Sequence, residues 1–120
     1  MSRDVVLVVE DEPMLRADAA MLLDEAGLHV VAVESADEAI AFTAAQPDAV
    51  AAIFTDIQMP GHSDGLHLAE IIGRHWPEIK VLLTSGRITP ANRLPANVSF
   101  VQKPWLPLQV LAAMQSAVAA

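Results

Sequence analysis

Asp56, Glu10, Asp11, Lys103 and Thr84 are residue types that can handle a phosphoryl group and a divalent cation. Each stands at or just past the end of a short apolar run. Asp56 closes the run 50–55 and is followed at once by Ile57-Gln58-Met59-Pro60-Gly61, a turn sequence. Glu10 and Asp11 close Val5–Val9, Thr84 closes a run that begins at Lys80, and Lys103-Pro104 follows Val98–Gln102. If these runs are parallel strands of one sheet, their C-terminal ends share an edge. Three carboxylates gathered there would raise one another's pKa values, and a hard divalent ion relieves that repulsion. Mg²⁺ fits because it takes oxygen ligands, keeps several waters and bridges to phosphate. Asp11 and Asp56 are placed to ligate directly, with the backbone carbonyl of Gln58 as a further ligand and Glu10 acting through a metal-bound water. A carboxylate can attack phosphorus to give an acyl phosphate, and Asp56 has the best position for that nucleophile. Lys103 adds a mobile positive charge for the phosphoryl oxygens. The Thr84 hydroxyl and the Ser85 backbone N–H are candidate donors to them.

The elements that must position these groups follow from periodicity. Val5–Val9 is an uninterrupted β-branched run, the pattern of a strand covered on both faces. Pro13 suits a helix start. Leu15, Ala19, Leu22, Leu23 and Ala26 recur at helical spacing up to Gly27. His29–Val33 reads as a second strand, and Ser35 with Glu38 as a capping box before an alanine-rich helix that stops at Gln46-Pro47. Residues 49–55 form the third strand, ahead of a loop punctuated by Pro60, Gly61, Ser63 and Gly65. Leu68, Ile71 and Ile72 give the next helix an apolar face, ending near Trp76-Pro77. Residues 80–84 and Val98–Gln102 are the last strands, and Leu108, Leu111, Ala112 and Val118 mark one face of a closing helix. Strands alternating with helices predict a parallel sheet with helices on both faces and right-handed crossovers. Pro90 and Pro95 make any helix between the last two strands short or irregular.

Composition narrows the function. The chain has 120 residues, 53% of them hydrophobic, which fits one domain spanning residues 1–120 with a packed core. Seven basic against 15 acidic residues give a net charge of -8. That balance argues against direct nucleic-acid binding and against an anionic membrane. There is no cysteine, so disulfides, thiol catalysis and thiolate metal sites are excluded. The N-terminus reaches Val5–Val9 too soon for a secretory signal, and no apolar stretch reaches the roughly 20 residues of a membrane span. A cytoplasmic protein is the simplest expectation. His62, His67 and His75 do not have the spacing of a His-Glu-x-x-His zinc site. No glycine-rich dinucleotide motif or Walker lysine is present, and Ser63 lacks the setting of a hydrolase nucleophile.

Taken together, Val-Val-Glu10-Asp11-Glu12-Pro, Asp56-Ile-Gln-Met-Pro-Gly, Asp64-Gly65-Leu66, Thr84-Ser85-Gly86 and Lys103-Pro104 resemble the response regulator receiver domain family over essentially the whole chain. The resemblance implies a flavodoxin-like (CheY-like) α/β fold, a doubly wound five-stranded parallel sheet in the order 2-1-3-4-5. It implies Asp56 as phosphoacceptor and Glu10 and Asp11 as the acidic pair that helps bind Mg²⁺. Gln58 then supplies the backbone ligand, and Lys103 is the phosphate lysine. Thr84 takes the hydroxyl switch position and Phe100 the aromatic one. The donor in such proteins is a histidine kinase or a histidine phosphotransfer protein, and the receiver assists its own phosphorylation and dephosphorylation without being a turnover enzyme. Two departures stand out: Glu10 replaces the commoner aspartate, and the interval from Thr84 to Lys103 is shorter than usual.

The expected function is a stand-alone receiver that takes phosphate on Asp56 with Mg²⁺ and signals to an as yet unknown downstream protein through its helical surface. A homodimer is compatible with this. The competing expectation is a receiver-like interaction module that works without phosphorylation. A flavodoxin-like redox protein is a more distant rival, because no hydroxyl-rich phosphate loop follows Val9.

Overall fold

A computed structural model of the chain describes residues 3–58, 64–86 and 94–119. The element order is β1 (Val5–Val9), α1 (Pro13–Glu25), β2 (His29–Val33), α2 (Ala36–Ala45), β3 (Val50–Asp56), α3 (Gly65–His75), β4 (Lys80–Ser85), β5 (Val98–Gln102) and α4 (Pro107–Ala119). All five strands are parallel, in the order β2-β1-β3-β4-β5. This is the flavodoxin-like arrangement. The chain reverses its winding between β1 and β3, which opens a crevice at their carboxyl ends.

Side-chain alternation divides the core into two layers. Val5, Leu7 and Val9 of β1, Ile53 of β3 and Leu83 of β4 face α2 and α3, packing against Ala36, Ala39, Leu68 and Ile72. Val6, Val8, Phe54 and Leu82 face the other way, against Ala19 and Leu23 of α1 and Val110 and Met114 of α4. β1 and β3 are buried along their whole length, as their uninterrupted apolar sequences require.

The helix ends follow local rules. Glu12 caps α1, its carboxylate accepting the Leu15 N–H at 2.7 Å, and Pro13 occupies the first turn. Gly27, at φ +88°, closes the helix in the left-handed conformation. Ser35 caps α2 through the Glu38 N–H at 3.1 Å, and Asp64 caps α3 through the His67 N–H at 2.9 Å.

Several expectations need correction. β3 and β4 each run one residue further than the sequence pattern indicates, so Asp56 and Ser85 lie within strands. In α1, Leu15 is exposed, as is Ala26 just past its end, and the buried residues are Ala19 and Leu23. In α4, Leu108 and Ala112 face solvent while Val110 and Met114 are buried. Both helices carry apolar residues on most sides, so spacing alone did not single out the inward face. The short or irregular helix expected before β5, with Pro90, lies largely outside the described residues. So do Pro60, Gly61, His62 and Ser63.

Candidate functional site

The carboxyl edge of the sheet assembles the site. Asp56 ends β3 with the same alternation as Phe54, so it stands on the α1/α4 side. Thr84 is its register partner on β4. The Ile57 N–H donates to the Thr84 carbonyl at 2.9 Å, which prolongs the pairing past the nucleophile position. Asp56 is 8% exposed, so its carboxylate needs partners. Its Oδ2 receives the Lys103 ammonium at 2.5 Å, and its Oδ1 accepts the Gln58 backbone N–H at 3.1 Å. Both oxygens are therefore oriented.

Lys103 reaches Asp56 from the turn after β5. Its backbone N–H donates to the Ser85 carbonyl at 3.0 Å, fixing the turn to β4, and the peptide to Pro104 is cis. Its side chain keeps about a third of its surface exposed. Ser85 donates its hydroxyl to the Gln58 side-chain oxygen at 3.3 Å, linking the corners after β3 and β4.

Glu10 lies where β1 ends and is half-buried, with its carboxylate accepting the Glu12 N–H at 3.2 Å. Burial pushes its pKa up from 4.5 to about 6. A hydrogen bond with Asp11 and the charge of Asp56 push the same way; the Glu12 N–H and the Lys103 charge oppose. Asp11 is exposed. Among the described residues no three acids or histidines group closely enough to form a metal cage by themselves. The oxygen donors present still suit Mg²⁺, which uses one or two carboxylates and retains water. A half-buried acid carrying a raised pKa beside two further carboxylates is the electrostatic condition that a bound cation relieves.

Thr84 has the most informative side chain at this edge. It is 4% exposed, and its hydroxyl has no hydrogen-bond partner among the described residues. An unpaired buried hydroxyl costs about 1–3 kcal/mol. The fold carries that cost beside Asp56.

Phe100 is placed differently from the rest. Leu83 is its register partner, and it packs half-buried on the α2/α3 layer, whereas Thr84 pairs with Val101 and stands on the α1/α4 side. The two positions assigned to switching thus lie on opposite faces of the sheet.

Sequence reasoning passed over three contributors. Gly65 was read as loop punctuation, yet a Cβ there would lie 2.2 Å from the Asp56 carbonyl oxygen and 2.9 Å from its carbon. Its N–H donates to the Ile57 carbonyl at 3.0 Å, so the first turn of α3 rests directly on the backbone of Asp56. The sequence Asp64-Gly65, a capping residue before a glycine, was the available signal. Glu12 was the second, as a helix cap. Trp105 was the third. It is partly exposed and meets Phe54 edge-on, with ring centroids 5.4 Å apart at 74°. Nothing in its spacing announced that it borders the site.

Comparison with known proteins agrees with this fold. Residues 6–115 match the family described as response regulator receiver domain. The hydrogenase transcriptional regulatory protein HoxA of Cupriavidus necator is 35% identical over 96% of this chain and 24% of its own length. The nitrogen assimilation regulatory protein NtrX of Azorhizobium caulinodans is 38% identical over 72% of this chain and 18% of its length. The chain thus spans about a quarter or less of these relatives. A response regulator receiver protein from Sinorhizobium medicae superposes with a TM-score of 0.86 at 26% identity, covering 98% of this chain and 96% of that one. The fold and its carboxyl-edge acids define a signalling module of the two-component class. The chain belongs to the response regulator receiver domain family, whose members relay phosphorylation signals through protein–protein contacts rather than acting as turnover enzymes.

Proposed function

We propose that this chain is a phosphoacceptor receiver, with residues 1–120 forming one unit, and that Asp56 takes a phosphoryl group from the phosphohistidine of a histidine kinase or phosphotransfer protein. The observation that carries this reading is the pairing at the carboxyl edge. The Asp56 carboxylate is held at 2.5 Å by Lys103, and beside it stands a buried Thr84 hydroxyl without a partner among the described residues. A phosphoryl oxygen on Asp56 would accept that hydroxyl's hydrogen.

The chemistry assigned to the chain's own groups is direct. An Asp56 oxygen attacks phosphorus as the bond to the leaving group breaks. Lys103 follows the charge from the carboxylate to the phosphoryl oxygens. Thr84 and the Ser85 backbone N–H donate to those oxygens. Glu10, Asp11, Asp56 and the Gln58 carbonyl would hold Mg²⁺. When bound, Mg²⁺ screens the negative charge of the incoming group and of the acid cluster.

The reading extends to output. Phosphorylation adds charge and strong acceptors next to Thr84. Phe100 packs on the opposite face from Thr84, so movement of Thr84 would reach it through the paired backbones of β4 and β5. The output is a changed surface for a downstream protein in the cytoplasm.

Intact-mass measurement after incubation with Mg²⁺ and phosphoramidate tests the proposal. The expected result is a gain of one phosphoryl group localised to Asp56 and absent in Asp56→Asn. No gain with any donor would favour the phosphorylation-independent interaction module instead.

A further inference from the structure

The site opens sideways into a cavity of about 610 Å³ that phosphoryl transfer alone does not need. Its apolar walls are Val8, Leu15, Ala19, Phe54, Pro104 and Trp105, and its polar end is Asp56, Thr84 and Lys103. Both belong to one continuous space. The volume falls within the ~300–1,000 Å³ of small-molecule sites, and an apolar body with a few converging polar groups is the usual character of such sites. Two independent observations say what should enter. The Thr84 hydroxyl, without a partner among the described residues, and the Lys103 ammonium line the polar end, which calls for an anionic head. Glu10 and Asp18 also line the cavity, so a second negative charge on the ligand would meet repulsion. Beyond the head, the Phe54–Trp105 pair and Leu15 offer ring edges and aliphatic carbon.

We propose that this cavity selects a class of small phosphodonor: acyl phosphates whose acyl group is neutral, apolar and about the size of a benzene ring. The inference rests on Asp56 being the phosphoacceptor. The reaction balances without any further reagent. An Asp56 oxygen supplies its lone pair to phosphorus, the bond from phosphorus to the acyl oxygen breaks, and that electron pair leaves on the free carboxylate. No proton or electron has to be found elsewhere. The apolar group sits against Trp105 and Leu15 while its phosphoryl head lies at Asp56.

The test compares phosphorylation rates with phosphoramidate, acetyl phosphate and benzoyl phosphate at fixed Mg²⁺. The informative quantity is the ratio of the benzoyl to the acetyl rate in the intact chain against the same ratio in Trp105→Ala. The variant supplies the chemical baseline, because intrinsic donor reactivity cancels. The ratio is expected to be about tenfold higher in the intact chain, the worth of one aromatic contact. Leu15→Ala, on an exposed helical turn, should lower it in the same direction and serves if Trp105→Ala does not fold. A second readout needs no chemistry. Benzylphosphonate, which cannot transfer its phosphoryl group, should slow labelling and change the emission of Trp105 in a Trp76→Phe background. Equal ratios in all three proteins, with labelling by phosphoramidate intact, overturn this inference and leave the phosphoacceptor reading standing. Labelling by no donor at all overturns both.

Discussion

The two edges of the sheet treat charge in opposite ways. At the amino edge the Arg3 cation is surrounded by acceptors. The Arg3 guanidinium donates to the carbonyl of Pro47, to that of Val50 at 3.3 Å and to the Glu78 carboxylate at 2.9 Å, with Asp48 at 3.8 Å. That network ties the chain ahead of β1 to the segments that enter β3 and β4. At the carboxyl edge the balance is reversed. Lys103 pairs with Asp56 and its charge also reaches Glu10, with Asp11 adding a further carboxylate beside Glu10, and Thr84 has a hydroxyl with no described partner. One edge satisfies its polar groups and gains stability. The other leaves a deficit of positive charge and of acceptors, which an incoming cation and phosphoryl group would fill. Local dissatisfaction of this kind is what a reactive site keeps while the rest of the fold compensates.

The largest test of this contrast removes the two cations in turn. Lys103→Ala should slow labelling of Asp56 by roughly 100-fold or more, since it removes a charge that faces the transferred group. Asp56→Asn should abolish labelling. Arg3→Ala should leave the labelling rate within about twofold while lowering unfolding stability by roughly 1–2 kcal/mol, from lost hydrogen bonds to two carbonyls and a carboxylate. Equal loss of labelling in Arg3→Ala would erase the distinction between the edges.

α3 carries the same comparison within one element. Gly65 opens it at the carboxyl edge, where a Cβ would strike the Asp56 carbonyl at 2.2 Å, a backbone atom that cannot swing aside. Gly73 lies near its far end, where a Cβ would meet only the Asn97 side chain, at 3.4 Å. Gly65→Ala should therefore destabilise by about 2–3 kcal/mol, in the range of overpacked cores, and slow labelling by displacing Asp56. Gly73→Ala should be neutral or stabilising by up to ~1 kcal/mol through helix propensity. Thermal unfolding of the two variants, read beside their labelling rates, checks both.

These cases show where the sequence was readable. Strands built from runs such as Val5–Val9 announce themselves, because burial on both faces admits almost nothing but β-branched and aliphatic residues. Asp56 and Lys103 were visible because each interrupts or follows such a run, and parallel strands bring their carboxyl ends together. The order of the strands came from the family resemblance; periodicity does not encode which strand lies beside which. The inward faces of α1 and α4 were misjudged at Leu15 and Leu108, since helices rich in alanine and leucine repeat no unique stripe. The apolar cavity, the contact at Gly65 and the opposite facing of Thr84 and Phe100 depend on distances between segments far apart in sequence. Residue spacing carries no information of that kind.

A smaller effect isolates the unpaired hydroxyl. Thr84→Val keeps the shape of the side chain and removes the group that lacks a partner among the described residues. The unmodified protein should gain about 1 kcal/mol in chemical denaturation, because the desolvation cost of the hydroxyl disappears. The same change should reduce any spectroscopic response to phosphorylation, since the donor to the new oxygens is gone. A loss of stability would mean that the hydroxyl is satisfied after all, and the contrast between the edges would weaken.

The smallest effect is a slope. The folded-state pKa of Glu10 is raised from 4.5 to about 6, chiefly by burial and then by Asp11 and Asp56. Between those two values the folded protein holds more protons at this position than the unfolded chain. Stability from this group is therefore complete below pH 4.5 and is lost as pH rises toward 6, the reverse of an acid whose pKa is depressed by a salt bridge. The slope is at most about one proton per molecule, and Glu10→Gln should flatten it. Mg²⁺ should act in the opposite sense, because it favours the ionised carboxylates. Its stabilisation should be full above about pH 7 and should fade as the pH drops through 6, where protons compete for Glu10. Denaturation midpoints at pH 5 and 7.5, each with and without Mg²⁺, give four numbers that decide it. An Mg²⁺ effect of equal size at both pH values would show that the cation does not compete with protons for Glu10.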